Sequence, residues 1–418
     1  MYELNPNINH LVCLRCESIF NLYEQIDHNG CPKCFQDGTP SNITFKYKEQ
    51  KLELNEHERG LFRYHTLLPY LSFPTLGEAD TPLICLDNLA KELGIQSLWL
   101  KNEGQNPTGS HKDRMSPLVV AHAISTKKIG VIVSSTGNAG ASIATYAARG
   151  GVKCVIFTSP NINPIWKQAM EKTGSKLVYD KTYIAELINS KEWFPATDFF
   201  HAVGSNPFGL QGYKTISYEI IEKKKDDMPS KILIPSSSRG DLLWGIWQGF
   251  MEAQEMGYIA KIPKLIAVEP FPRLKKVLDG ANYLNFFEGE TVRTPSLSGT
   301  RVTYQAIKAI QYFDNDAISP PNDEVELEQE HLAKHGIYVE RSSAITLGAL
   351  KQLIKEKKVT EEDKILIINT SNGYRVCLIN MSAAPKPFSH SLHLSFGTHR
   401  EKVFPPPPIN QLDLPDMP

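Results

Sequence analysis

The stretch Val131-Ile-Val-Ser-Ser-Thr-Gly-Asn-Ala-Gly-Ala-Ser142 carries the reading of the fold. A β-branched apolar run passes into a turn of hydroxyls and glycine, then into small residues whose helical pattern continues to Arg149. Two further segments repeat that order: Lys231-Ile-Leu-Ile-Pro-Ser-Ser-Ser-Arg-Gly-Asp241, before a helical stretch through Leu243 to Phe250, and Ile365-Leu-Ile-Ile-Asn-Thr-Ser-Asn-Gly-Tyr374. Val152 to Thr158 and Leu265 to Glu269 read as strands of the same kind. Short apolar strands alternating with amphipathic helices between about residues 46 and 384 predict an α/β architecture of mostly parallel strands joined by helical crossovers. Ligands of such sheets bind outside the carboxyl ends of the strands, which is where these polar turns fall. No repeat of fixed period runs through the chain, so a solenoid or propeller is not expected.

The turns have chemistry of their own. Ser135, Thr136 and Asn138, beside the free N–H groups of a helix start, suit a carboxylate, with an ordinary N-cap as the competing reading. Ser236, Ser237, Ser238, Arg239 and Gly240 suit a phosphate. In Glu103-Gly-Gln-Asn-Pro-Thr-Gly-Ser-His-Lys-Asp-Arg114 a lysine, Lys112, stands at the mouth of an apolar helical stretch, Met115 to Ile124. The positive end of a helix and partial loss of water both disfavour an ammonium, leaving an amine able to attack a carbonyl. The competing reading is a solvated lysine between two charged neighbours.

Composition sets the outer bounds. The chain has 418 residues, 41 % hydrophobic and 22 % charged, enough for two or three domains and too much for a single small module. Lys and Arg number 45 against 46 Asp and Glu, giving a formal charge of −1 and no basic field for nucleic acid or anionic lipid. No apolar run approaches the roughly 18 residues of a membrane span, so no membrane partner is expected. The start, Met1-Tyr-Glu-Leu-Asn-Pro-Asn, lacks the pattern of a secretory signal or transit peptide, and the expected location is cytoplasmic.

Four of the seven cysteines, Cys13, Cys16, Cys31 and Cys34, form two Cys-x-x-Cys knuckles within residues 1–42. Four thiolates so paired suit one tetrahedral zinc ion in a structural ribbon. Glu17, Glu24, Asp27 and Asp37 deny that ribbon the basic face of a nucleic-acid reader. Cys85, Cys154 and Cys377 lie in apolar strand-like contexts and are expected in the core. Residues 385–418 form a tail rich in proline, unable to make helix or central strand and expected to lie extended on its own domain or a neighbouring subunit.

Taken in order, these segments resemble the threonine synthase branch of the fold-type II pyridoxal-phosphate enzymes, within the tryptophan synthase β and threonine synthase superfamily. The resemblance covers roughly residues 75 to 380. It rests on Leu76-Gly-Glu-Ala-Asp-Thr-Pro-Leu83, Asn106-Pro-Thr-Gly-Ser-His-Lys-Asp-Arg114, Ser135-Thr-Gly-Asn-Ala139, Gly212-Tyr-Lys-Thr-Ile-Ser-Tyr-Glu219 and Gly336-Ile-Tyr-Val-Glu-Arg-Ser-Ser-Ala344. A zinc-ribbon-like N-terminus is also similar to one found in some members. The resemblance implies two open α/β domains with pyridoxal 5'-phosphate between them, a large one of residues 43–114 and 206–384 and a small mobile one of 115–205, and a homodimer.

It also implies roles. Lys112 would be the Schiff-base lysine and the base at the substrate Cα, with His111 beside it at the cofactor. Asn138 would meet the cofactor's phenolic oxygen, and Ser135, Thr136, Gly137, Asn138 and Ala139 the substrate carboxylate. Ser236, Ser237, Ser238, Arg239 and Gly240 would hold the cofactor phosphate, and Thr370 would face the pyridine nitrogen. A neutral hydroxyl there tempers the electron sink and favours elimination or replacement over transamination. Three departures bear on the substrate. The phosphate loop keeps one glycine where the family has several, and His111 stands where threonine synthases usually have an aromatic residue. Asn206-Pro-Phe-Gly-Leu-Gln-Gly-Tyr-Lys-Thr215 carries Gly209 and Gln211 at the family's Arg and Glu positions. The Arg grips the substrate phosphate in the family, and Lys214, Arg239 or Lys167 would have to replace it here. The implied reaction is conversion of O-phosphohomoserine to threonine and phosphate. The alternatives are a related lyase or β-replacement enzyme using phosphoserine, serine or a diaminopropionate-type substrate, and a catalytically silent ligand-binding protein.

Overall fold

The Val-, Ile- and Leu-rich runs form the strands expected of them, within one residue at either end. In a computed structural model that describes residues 2–22, 29–48, 57–197, 203–312 and 314–375, strands β1 (Ile8–Cys13), β2 (Ile19–Phe20) and β3 (Ile43–Tyr47) come first. Strands β4 (Leu83–Cys85), β5 (Ser97–Asn102), β6 (Gly130–Ser134), β7 (Lys153–Phe157), β8 (Lys176–Val178) and β9 (Trp193–Pro195) follow. Strands β10 (Lys231–Pro235), β11 (Lys264–Val268), β12 (Asp316–Ile318) and β13 (Lys364–Asn369) complete the described order.

Among the described residues these make three sheets, ordered β2-β1-β3, β8-β7-β6-β9 and β12-β11-β10-β13-β5-β4. The β6–β9 sheet is parallel throughout. The larger sheet is parallel except where β4 runs antiparallel to β5 at its edge. Strands β6, β10 and β13 are buried along nearly their whole length rather than at alternate positions, because helices cover both faces. Helix Asp241–Glu255 inserts Leu243, Ile246 and Phe250 into an apolar cluster that also holds Val131 and Val133 of β6 and Ile232 and Ile234 of β10. One core therefore joins the two sheets, and each buried aliphatic side chain in it contributes about 1.5–3 kcal/mol.

The N-terminal sheet is wider than the cysteine spacing indicates. Strand β3 pairs antiparallel with β1, Ile43 opposite Cys13 and Phe45 opposite Leu11, so the ribbon continues past residue 42, the expected boundary, to Tyr47. Phe45 packs edge-on against Phe208 with ring centroids 5.0 Å apart, and the Asn42 amide donates to the Ser205 carbonyl at 3.0 Å and the Gln305 side chain at 2.9 Å. These contacts fasten the ribbon to the α/β body.

Residues Met1–Val376 cluster as one unit and Cys377–Pro418 as a second. The second, with the proline-rich tail and Cys377, lies outside the described residues. Cys154 is buried as expected, whereas Cys85 is only half-buried, its thiol 2.7 Å from the Asp87 carboxylate. Among the described residues no helix is long and apolar enough to cross a membrane.

Candidate active site

Register brings the polar turns together. Strand β13 pairs with β5 so that Asn369 lies opposite Asn102, and β10 pairs with the other side of β13. The segments leaving the carboxyl ends of β5, β10 and β13 therefore open on one edge of the sheet.

From β5 the chain runs to a 3₁₀ turn, His111–Arg114, in which the Ser110 hydroxyl oxygen accepts the Lys112 N–H. The Lys112 amine is part-buried and donates to the Tyr213 hydroxyl at 3.3 Å. Loss of hydration lowers its pKa most, to about 8, with Asp241 opposing and Arg239 reinforcing the shift. The helix proper begins only at Ser116, so burial rather than a helix end is the main cause. The His111 ring nitrogen Nδ1 lies 3.1 Å from the Thr370 carbonyl oxygen, which only accepts, so Nδ1 is the donor. Burial and the Lys112 charge bring this imidazole down to about 3. A neutral ring whose donor is spent on Thr370 ties β13 to the lysine turn.

Behind the lysine, Arg114 makes forked contacts with two carboxylates, Glu103 at 2.6 and 2.8 Å and Glu219 at 2.7 and 2.9 Å. The Lys101 ammonium reaches Glu219 at 2.5 Å. Two cations and two anions thus balance, all nearly inaccessible to solvent. Their mutual attraction offsets the loss of water that each alone would suffer.

At the end of β13 the Thr370 hydroxyl lies 2.7 Å from the Ser343 hydroxyl, a buried neutral pair. The Asn138 amide donates to Glu340 at 2.9 Å, and its carbonyl oxygen accepts from the Ser371 hydroxyl at 3.4 Å. The other Glu340 oxygen accepts from Ser296. Asn138 opens helix Asn138–Gly150, whose N-cap, Gly137, supplies no side-chain hydrogen bond. The Ser135 hydroxyl oxygen instead accepts the N–H groups of Gly137 at 3.2 Å and Gly140 at 2.9 Å, so for this side chain the capping reading holds. Thr136 is exposed at the lip, with Asn138 and Ala139 half-buried behind it.

The β10 turn closes on itself. The Gly240 N–H donates to Ser237 O at 3.1 Å, the Ser238 N–H to Ser298 O at 3.3 Å, and the Ser236 hydroxyl to Ile234 O at 3.0 Å. Gly240 sits at φ +61°, and a Cβ there would stand 2.3 Å from the Ala306 Cβ, so only glycine fits. The helix Asp241–Glu255 begins on this glycine with no side-chain cap. The Asp241 carboxylate accepts from the Ser205 N–H at 3.1 Å, the Ser205 hydroxyl and the Gln305 amide at 2.6 Å.

These residues fit pyridoxal phosphate by their own chemistry: an amine near 8, a tight glycine turn before an uncapped helix start, and a neutral hydroxyl pair for an unprotonated ring nitrogen. One expectation for the substrate does not survive. Lys214 is fully buried and ion-paired to Glu252 at 3.0 Å, its ammonium 4.5 Å from the Tyr47 ring centre, so it faces the ribbon side of its helix and not the cleft. Gly209, at the family's Arg position, is closely packed: a Cβ would lie 2.6 Å from both the Met115 Cγ and the Val119 Cγ2. Lys167 is exposed and 3.9 Å from Glu171, one turn along its own helix. Tyr213, Ser343 and Glu340 went unassigned from sequence. Two of them stand in the quoted Gly336–Ala344 segment, and nothing in their spacing announces a role.

In the ribbon, the Cys13 and Cys34 sulfurs are 3.6 Å apart, as are those of Cys16 and Cys31, and all four lie within 4.8 Å of one another. A tetrahedron of ~2.3 Å zinc–sulfur bonds spaces its sulfurs by about 3.8 Å. The thiols are free and not bonded in pairs.

Comparison with known proteins agrees with this chemistry. The chain is 31 % identical over 385 residues to the threonine synthase of Methanocaldococcus jannaschii, covering 87 % of this chain and 92 % of that one. It is 29 % identical over 380 residues to the threonine synthase of Methanosarcina acetivorans, covering 87 % and 91 %. Among solved structures it matches the processed form of threonine deaminase isoform 2 from Solanum lycopersicum with a TM-score of 0.60 at 20 % identity, over 70 % of this chain and 79 % of that one, a likeness of fold. Residues 74–371, from the turn before β4 to the Thr370–Ser371 end of β13, match the family described as pyridoxal-phosphate dependent enzyme. With Lys112 and the three strand-end turns all inside that span, the chain belongs to the pyridoxal-phosphate dependent enzymes, as a member similar to the threonine synthases.

Proposed function

We propose that the chain converts O-phosphohomoserine to threonine and phosphate. The observation that carries this reading is the part-buried Lys112 amine, lowered to about 8 and hydrogen-bonded to Tyr213, at a site shared by the turns of β5, β10 and β13. When bound, the cofactor supplies a sink for the electron pair released at the substrate Cα. The chain's residues do the rest. Lys112 takes the Cα proton, and the Tyr213 hydroxyl holds the amine in line. The first-turn amides after Gly137 receive the substrate carboxylate, and those after Gly240 the cofactor phosphate. The Thr370 and Ser343 hydroxyls keep a neutral partner before the ring nitrogen. Closure of residues 115–205 over the cleft would exclude water during the reaction.

With Lys214 paired and Gly209 enclosed, Arg239 is the residue of this reading that meets the substrate phosphate, and its field already reaches the Lys112 amine. Replacing Arg239 by alanine is expected to raise KM for O-phosphohomoserine roughly tenfold to a hundredfold while the cofactor stays bound. Loss of cofactor instead would assign Arg239 to the cofactor phosphate. A spectral titration with O-phosphohomoserine, O-phosphoserine, serine and threonine, with released phosphate and product assayed, tests the substrate. A response to O-phosphohomoserine that yields threonine supports the reading. A response to another member of the panel replaces it with a β-replacement or lyase activity, the alternative that the packed Gly209 favours.

A structural zinc ion on Cys13, Cys16, Cys31 and Cys34 belongs to the same reading, supported by the sulfur spacing. So does a cytoplasmic homodimer, which rests on the family resemblance and is tested by light scattering and by fractionation.

A further inference from the structure

Helices Asp87–Leu93 and Val325–Lys334 both contribute to the apolar cluster that includes Leu89 and Leu332. Where they meet at the surface, Glu92 of the first faces His331 of the second and His335 just beyond its end. The Glu92 Oε1 is 2.9 Å from the His331 Nε2, and its Oε2 is 3.4 Å from the His335 Nε2. The two imidazoles are one helical turn apart on one face, with ring centres 5.5 Å apart. Their side chains are 20 % exposed and that of Glu92 is 51 % exposed, so the cluster is open to solvent.

We propose that Glu92, His331 and His335 form a binding site for a divalent transition-metal ion of the zinc class, separate from the cysteine ribbon and from the Lys112 site. One ligand atom from each residue lies within 4.8 Å of the other two. Zinc bonds of ~2.0–2.2 Å place ligand atoms about 3.3–3.5 Å apart in a tetrahedron. The observed spacing is therefore an ångström or so from coordination, a distance that rotation of partly exposed side chains covers. Borderline ions favour imidazole, and two histidines at i and i+4 make a chelate that needs no backbone movement. The carboxylate from the neighbouring helix completes a tripod, with water at the remaining position. Bound metal would clasp the two helices where their shared core meets solvent.

The test is calorimetric titration of the purified holoenzyme with Zn²⁺, comparing the unaltered chain with H331A, H335A and E92Q. Uptake by the ribbon cysteines is common to all four proteins and cancels in the comparison. The unaltered chain is expected to take up one more zinc per chain than H331A or H335A, with affinity at this site lowered roughly tenfold or more in each. E92Q, which keeps the side chain's size, is expected to weaken the same event. Identical isotherms for the unaltered chain and the histidine variants would overturn the proposal. So would an E92Q isotherm matching the unaltered one, because the carboxylate would then be no ligand. Circular dichroism of each variant shows that its helices are retained, and turnover is expected to be unchanged throughout.

Discussion

A lysine in water is almost wholly protonated at neutral pH, whereas Lys112, lowered to about 8, has an appreciable fraction of free amine. Because the amine and not the ammonium attacks an aldehyde, cofactor-stripped protein is expected to recapture pyridoxal phosphate faster as pH rises toward 8. The rate should level off above that, where an ordinary lysine would go on gaining to beyond 10; stopped-flow absorbance checks this. Lys112→Ala is expected to abolish turnover and the visible absorbance of the bound cofactor, and a variant that still turned over would contradict the assignment. At Gly209 the expectation is steric. Gly209→Ala pushes a methyl into Met115 and Val119 and should cost about 1–3 kcal/mol in urea unfolding. Lys112 was legible in the sequence because its neighbours are turn formers and its helix is apolar. Lys214 misled because what removes it from the cleft, Glu252 and Tyr47, lies far away in the chain, and no local pattern reports such a partner.

At the scale of elements, the lysine turn is held by the paired charges of Lys101 on β5, Glu103 after it, Arg114 and Glu219 on helix Thr215–Lys224. Removing one member leaves a buried charge without its counterpart. Glu219→Ala is expected to destabilise the fold by about 3–5 kcal/mol, measured as a shift in urea midpoint at constant slope. A change below about 1 kcal/mol would mean that water reaches the network. Strands such as β10 and β13 were readable because burial on both faces requires a continuous apolar run, which stands out in sequence. The three-residue strand β9 was not, since Trp193–Pro195 is too short to show a period and takes its direction from the strand beside it. The reach of the ribbon to Tyr47 was missed for a related reason: the cysteines mark the metal site, while β3 belongs to the ribbon only through its pairing with β1.

Over the whole molecule, the ribbon meets the α/β body at Ser205, Phe208 and Gln305. Gln305 donates to the Arg239 carbonyl and Asp241 and accepts from Asn42 of the ribbon, which links ribbon to phosphate turn through a single side chain. Cys34→Ser is therefore expected to lower the melting temperature and to weaken cofactor retention, although no cysteine touches the cleft. Equilibrium dialysis of the variant checks the second effect, and unchanged retention would show the ribbon to be energetically separate. The most direct test of the site as a whole is borohydride reduction of the purified holoenzyme followed by proteolysis and peptide mapping. The pyridoxyl group is expected on the peptide containing Lys112 and on no other. Label on a different lysine, such as Lys101 or Lys214, or no label at all, would contradict the assignment of the active site.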